Sequence, residues 1–420
     1  MEPERNAARL AEPDRDAERS AAGAAPRERV LSGRFLRVTA ANFCFFMTFA
    51  TFFLLPVRIR ELGGNDQQVG LVMGLLGVSG LAGVFLVGTM IDRLGCRVFL
   101  RFGLAVMSAV ALAFAFVDRV GVAMAALRIV QGLAFSAGFN AAATLAAAFA
   151  PRDRRATALG LFGVSTLTTH ALAPTLGEQV VRIAGFPALF AVCAGFSAIG
   201  LAIAWSLPEP LGEASTRPAG AAPVRIRRAP IPPALRASFA TTACCGLAFG
   251  TVMTFVPTFA LDEKLGPVAI FFLSYTSAAI AIRLWAGGVA DEYGLRRMIL
   301  PSIAVLSVAI LGIAAVHSRL ELAIAGIAFG LAQGVVYPTL NAFSVDLAPD
   351  GELGRVQSFF NGSFNVGVTS GSLALGPVSH AFGQRVTFAC ASAMALVALV
   401  VFATGTRRRA LAHAPSAKRQ

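Results

Sequence analysis

The chain is 420 residues long, 56% hydrophobic and only 14% charged, with a mean hydropathy of +0.69. Soluble domains carry about 25% charged residues, so this composition excludes a protein bathed in water on all sides. A net charge of +13 in a soluble chain would suggest nucleic acid; here the arginines lie in short loops between apolar blocks, which membrane topology explains instead.

Residues 1–34 are rich in Ala, Arg and Glu and lack the apolar run and cleavage site of a secretion signal, so a disordered cytoplasmic tail is expected. Twelve apolar spans follow, each about the length of a helix that crosses a hydrocarbon core. They are 36–57, 68–91, 98–117, 121–145, 156–182, 185–207, 237–260, 267–290, 298–316, 320–345, 355–380 and 385–404. The longest polar gap, 208–235, holds Pro208, Pro210, Pro218, Pro223 and Pro230 with Arg225, Arg227 and Arg228, and reads as a cytoplasmic linker between six-span bundles at 35–207 and 236–405. Residues 406–420 form a second short tail.

With the N-terminus inside, the inner loops hold 14 basic residues and the outer loops 7. The excess of inner positive charge predicts both termini in the cytoplasm of a multi-pass protein of a bacterial-type inner membrane. The six cysteines show no metal-ligand spacing and mostly fall inside apolar segments, as packing residues do.

One stretch returns half a chain later. Gly88-Thr-Met-Ile-Asp92-Arg93-Leu-Gly95-Cys-Arg97 follows span two, and Gly287-Gly-Val-Ala-Asp291-Glu-Tyr-Gly294-Leu-Arg296-Arg297 follows span eight, at an offset of 199 residues. Gly132-Leu-Ala134 and Gly330-Leu-Ala332 repeat at 198, as do Ala150-Pro151 and Ala348-Pro349. Two parallel six-helix halves follow, an all-α membrane protein of twelve transmembrane helices with pseudo-symmetry. The chain resembles transporters of the major facilitator superfamily over roughly residues 35–405, and the first loop resembles the superfamily's Gly-x-x-x-Asp-Arg-x-Gly-Arg-Arg signature. Cys96 departs from it, as does Glu292 in the second copy.

Asp92 and Asp291 close helices that run inward, where an acid opposes the macrodipole by about 0.3–1 kcal/mol when exposed. The resemblance implies that Asp92 meets the start of span eleven and Asp291 the start of span five when the cytoplasmic side closes. Gly88 and Gly287 would permit the close approach of helices. The alternative is a solvated topology anchor.

Ionisable groups within spans are costly and usually functional. Arg128 in Arg128-Ile-Val-Gln131-Gly132 resembles the Arg-x-x-x-Gly signature associated with proton-coupled members; a structural contact or snorkelling is the alternative. His170, Pro174 and Glu178 share one face of span five, and Ala173-Pro174-x-x-Gly177 resembles in part the Gly-Pro-x-x-Gly signature of exporters. Arg283 lies deep in span eight, where it has to face the cavity or another helix. Asn42, Gln333, Asn341, Asn361 and Asn365 add uncharged polar groups that suit ligand contact and interhelical hydrogen bonding equally.

No acid lies at mid-depth in any span, so the cavity is expected to be neutral to positive. No Walker motif, metal-ligand cluster or catalytic triad stands out, so neither an ATP-driven pump nor an enzyme is expected, and no cofactor. The leading reading is a monomeric secondary transporter that exports a small neutral or anionic amphipathic molecule, with protons as the candidate coupling ion. An importer of an organic anion or sugar is the nearest alternative, and a non-transporting receptor or scaffold the alternative of another class.

Overall fold

The computed structural model describes residues 32–151, 154–208, 230–286, 294–349 and 352–406, with side chains described for all of these except 85–93, 156 and 286. The tails, the body of the linker, and Gly287 and Asp291 lie outside the described residues, as do the side chains at Gly88, Asp92 and Arg93.

Every span forms a helix. α1 is Gly33–Glu61, bent through a 3-10 turn at Phe52–Leu54. α2 is Asp66–Leu94, α3 Cys96–Phe114 and α4 Val122–Phe149. α5 (155–184) and α6 (186–205) are the two arms of Arg155–Trp205, divided at Gly185. Next come α7 Pro233–Asp262, α8 Ala269–Ala286, α9 Leu295–Ala314, α10 Arg319–Asp346, α11 Leu353–Phe382 and α12 Gln384–Gly405.

Nine helices among the described residues are long and apolar enough to cross a membrane. The difference from twelve has local causes. α5 and α6 run on as one helix, and the described apolar part of α8 is short. α11 is diluted by Asn361, Asn365, Thr369 and several serines.

The repeat is visible in the backbone. Gly95 and Gly294 start α3 and α9 at φ 86° and 82°, a region that L side chains rarely adopt. Gly185 and Gly383, at φ 77° and 84°, part α5 from α6 and α11 from α12 in the same way. Gly132 lets α4 lie on Leu76 O of α2, and Gly330 lets α10 lie on Tyr275 O of α8, because a methyl at either place would overlap that carbonyl. Basic side chains finish the match. Arg101 donates to Ala204 O and Trp205 O at the end of α6, and Arg296 to Ala403 O and Thr406 Oγ1 at the end of α12. Cations suit these C-terminal carbonyls.

Within the first half α1 packs on the α5–α6 helix, α2 and α3 on α4, and α3 on the α5–α6 helix. In the second half α7 packs on α11 and α12, α8 on α10, and α9 on α10 and α12. The halves meet along α2–α11 and along the α5–α6 helix with α8. Both described chain ends lie on one side of the bundle, called here the terminal face, and Asp66 marks the opposite face.

Candidate functional site

The Asp66 face is closed by a clasp between halves. Asn65 and Gln68 cap α2 reciprocally, each backbone N–H donating to the other's side chain at 3.0 Å, which fixes Asp66 as the first helical residue. There the helix dipole favours its carboxylate. Asp66 is 4% exposed, yet fully engaged. Arg60 of its own half pairs with it at 2.9 Å, Ser379 Oγ donates to it at 2.6 Å, and Gln384 Nε2 donates at 3.2 Å. The same Arg60 pairs across the halves with Asp262 at 2.9 Å, and Gln384 also donates to Asp262 at 3.1 Å. Arg385 braces the second half through Glu263 at 2.9 Å. A cleft of about 420 Å³ lies over this network.

Glu178 makes the second crossing. Its carboxylate accepts from Val268 N at 2.7 Å and Ala269 N at 3.1 Å, the unpaired donors at the start of α8 in the other half. Gly177 beside it seats α5 against Leu54 of α1. Pro174, one turn deeper, is buried.

The apposition of α2 and α11 runs through Gly70 with Gly376, Gly74 with Leu373, and Gly77 with Thr369. Beyond that point Gly80 and Gly83 face α4 of their own half, while Asn365 is exposed and bonds only within α11 among the described residues. Toward the terminal face, Gly160 and Gly163 of α5 and Gly354 and Gly362 of α11 have no neighbouring helix within 4 Å of where a Cβ would stand. The contacts of α2 with α11 therefore run from the Asp66 face as far as Gly77 and Thr369.

One wall between the halves is aromatic and uncharged. Phe49 and Phe135 stack at 4.5 Å, Phe135 and Phe139 at 5.7 Å, and Phe53 stacks on His170 at 5.3 Å and on Phe272 of the other half at 5.4 Å. The other wall is polar. Arg283 Nε donates to Gly334 O at 3.3 Å, and Tyr337 Oη donates to Asn361 Oδ1 at 3.1 Å. Gln333 and Asn341 keep side-chain oxygens buried without a hydrogen-bond partner.

Arg128 lies outside this opposition. It is 2% exposed and donates to Val72 O at 3.2 Å and Gln131 Oε1 at 2.6 Å, with its guanidinium 5.7 Å above Phe52. It binds α4 to α2 within one half, without a carboxylate among the described residues. Asn42 likewise bonds Thr166 of α5 at 2.8 Å. At the terminal face Arg297 is exposed and Arg97 half-buried, while the contacts of Asp92 and Asp291 fall outside the described residues.

The clasp members Arg60, Asp66, Asp262, Ser379 and Gln384 were not singled out by sequence reasoning. Asp66 carried one signal, an acid directly after a capping Asn65 at the start of a span.

Comparison with known proteins agrees with this architecture. Residues 38–282 and 238–420 each match the family model described as Major Facilitator Superfamily. Over 383 residues the chain is 22% identical to the staphylopine export protein of Staphylococcus aureus, covering 87% of this chain and 94% of that one. It is also 22% identical over 360 residues to a multi-drug resistance efflux pump PmrA homolog of Lactococcus lactis, covering 82% and 88%. Among solved structures, nucleoside transporter NupG superposes with a TM-score of 0.72 at 15% identity, covering 90% of this chain and all of that one. The human organic anion transporter MFSD10 gives 0.67 at 17% identity over 90% of this chain.

Proposed function

The chain belongs to the Major Facilitator Superfamily, and from that premise we propose that it is a secondary active transporter that exports a small neutral or anionic amphipathic molecule by alternating access. One observation carries the reading: the halves are clasped across their boundary at the Asp66 face, as one of the two states of such a cycle requires. The arginine count favours the terminal face as the cytoplasmic one in a bacterial inner membrane, so this state would be the one closed to the outside. The halves at 35–207 and 236–405 would rock as two bodies, with a monomer sufficient for the cycle.

Export is favoured by the partial exporter signature at Pro174 and Gly177, and by the two curated relatives, whose names describe an export protein and an efflux pump. A substrate without positive charge is favoured by Arg283 and by the lack of a carboxylate along the described walls. Protons are the proposed counter-ion, and Glu178 is the proposed carrier, since it is the acid that crosses between halves without a cationic partner.

Proteoliposomes with an imposed pH gradient and a panel of radiolabelled amphipathic solutes test the reading. Proton-driven movement of an uncharged or anionic solute out of the terminal-face compartment is expected. Equal traffic with and without the gradient would remove proton coupling, and selective transport of lipophilic cations would overturn the substrate class.

A further inference from the structure

Two arginines lie deep in the bundle, and they differ in what is left of their hydrogen-bonding capacity. Each of the three nitrogens of Arg128 has a partner within its half, Val72 O, Gln131 Oε1 and Met73 Sδ. Arg283 uses Nε on Gly334 O, and among the described residues its two terminal nitrogens meet neither an acceptor nor an ion-pair partner. It is half-buried at the junction of the two walls, close enough to act electrostatically on His170 of the first half and on Tyr275 and Tyr337 of its own.

The groups beside it are short of partners too. Gln333, adjacent to Gly334, is 5% exposed and has one end of its amide unpaired; amide ends are interchangeable by a flip, so it can present a donor. Tyr337 occupies Asn361 Oδ1, and among the described residues the Asn361 amide hydrogens bond no protein group. From His170 the aromatic wall begins at once, through Phe53 to Phe49 and Phe135.

We infer that Arg283, with Gln333 and Asn361, forms a carboxylate-binding subsite, and that the substrate is a monoanion whose flat apolar body lies against the half-buried Phe49 and Phe135. This rests on the transporter reading above and names its substrate class. A guanidinium fork matches a planar carboxylate with two parallel hydrogen bonds. A single cation balances one negative charge, and a dianion would leave the other unpaired in a poorly solvated site. The ring spacings of the wall accept another aromatic in offset or edge-on contact, at about 4.5–7 Å between centroids.

The test is equilibrium dialysis of the full chain in detergent with radiolabelled 2-naphthoate, neutral 2-naphthylmethanol and dianionic 2-naphthyl phosphate. Naphthoate is expected to bind about tenfold tighter than the alcohol, the scale of a hydrogen bond to a charged group, and tighter than the phosphate. Arg283→Gln should erase the preference while leaving alcohol binding within about twofold, and Phe135→Ala should weaken naphthoate and alcohol alike. Arg283→Lys keeps the charge without the fork and should restore part of the preference, which also controls for a Gln variant that does not fold. Equal binding of naphthoate and alcohol to the wild type, or a preference that survives Arg283→Gln, overturns the subsite; phosphate bound as tightly as naphthoate overturns the monoanion. Wild-type liposomes that move substrates without any carboxylate preference overturn the subsite alone, whereas liposomes that move no solute overturn the transporter reading.

Discussion

The two faces of the bundle are held by different kinds of contact. At the Asp66 face a buried carboxylate, a shared arginine and a glutamate on a foreign helix N-terminus join the halves. At the terminal face the described ties of Arg101 to the end of α6 and of Arg296 to the end of α12 each stay within one half. The difference lies in symmetry. The terminal loops exist twice, as the copies around Gly95 and Gly294, whereas the clasp exists once: 198 residues from Arg60, Asp66, Asp262, Ser379 and Gln384 stand Thr258, Lys264, Gly64, Val181 and Phe186. A repeated gate can close two equivalent contacts together. A single clasp rests on a few residues and is the easier of the two to break.

Removing its centre should have the largest effect. Asp66→Ala leaves Arg60 its partner Asp262, but strips Ser379 and Gln384 of a buried acceptor. Leaving buried donors without their acceptor costs about 1–3 kcal/mol each, so the balance of states should move about a hundredfold toward an open Asp66 face. Spin labels at the exposed positions Arg119 and Leu320 should separate, and labels at Leu94 and Leu353 on the terminal face should approach. Unchanged distances at both pairs would mean that the clasp does not govern the closed state.

The α2–α11 crossing comes next. A methyl at Gly70 would stand 2.8 Å from Gly376 Cα and overlap Ser372 O, so Gly70→Ala has to push the helices apart. Overpacking of this kind costs about 1–3 kcal/mol, and the same label pairs should report a shift of about tenfold in the same direction. Gly376→Ala, with its nearest atoms at 3.2 Å, should do less. If the two variants are indistinguishable, the crossing is looser than these distances describe.

Glu178→Gln should have a smaller effect. The amide keeps one oxygen for the start of α8 but loses the second acceptor and the charge that the helix N-terminus favours, together about 1 kcal/mol. A shift of about fivefold toward the open Asp66 face is expected. If Glu178 carries the coupling proton, the variant should also lose the response of solute movement to a pH gradient. Retention of a full gradient response in Glu178→Gln liposomes would take the proton from this residue.

What the sequence discloses follows the same division. Length, apolar blocks and the repeat at Gly88 and Gly287 were enough for the twelve helices and their two halves, because hydropathy and duplication are properties of the chain itself. Polar residues within spans such as Arg283 and Asn361 stood out because an ionisable or amide group inside a span is conspicuous. The clasp was not legible: Arg60 and Asp262 sit in ordinary polar loop ends, and Ser379 and Gln384 are unremarkable until folding brings them to Asp66. The pairing of Arg128 was equally hidden, since its acceptors are a backbone carbonyl on another helix and a glutamine one turn away.

The smallest expected effect tests α11 toward the terminal face. Nothing lies within 4 Å of a Cβ built on Gly362, so Gly362→Ala meets no steric cost and gains helix propensity, about 0.8–1.0 kcal/mol in an exposed helix. Its Tm should stay level or rise slightly. Gly367→Ala, less than two turns along the same helix, would overlap Ala243 O of α7 and should lower Tm clearly. The pair separates two stretches of α11 by one measurement: an equal fall in Tm for both variants would place Gly362 against a neighbouring helix.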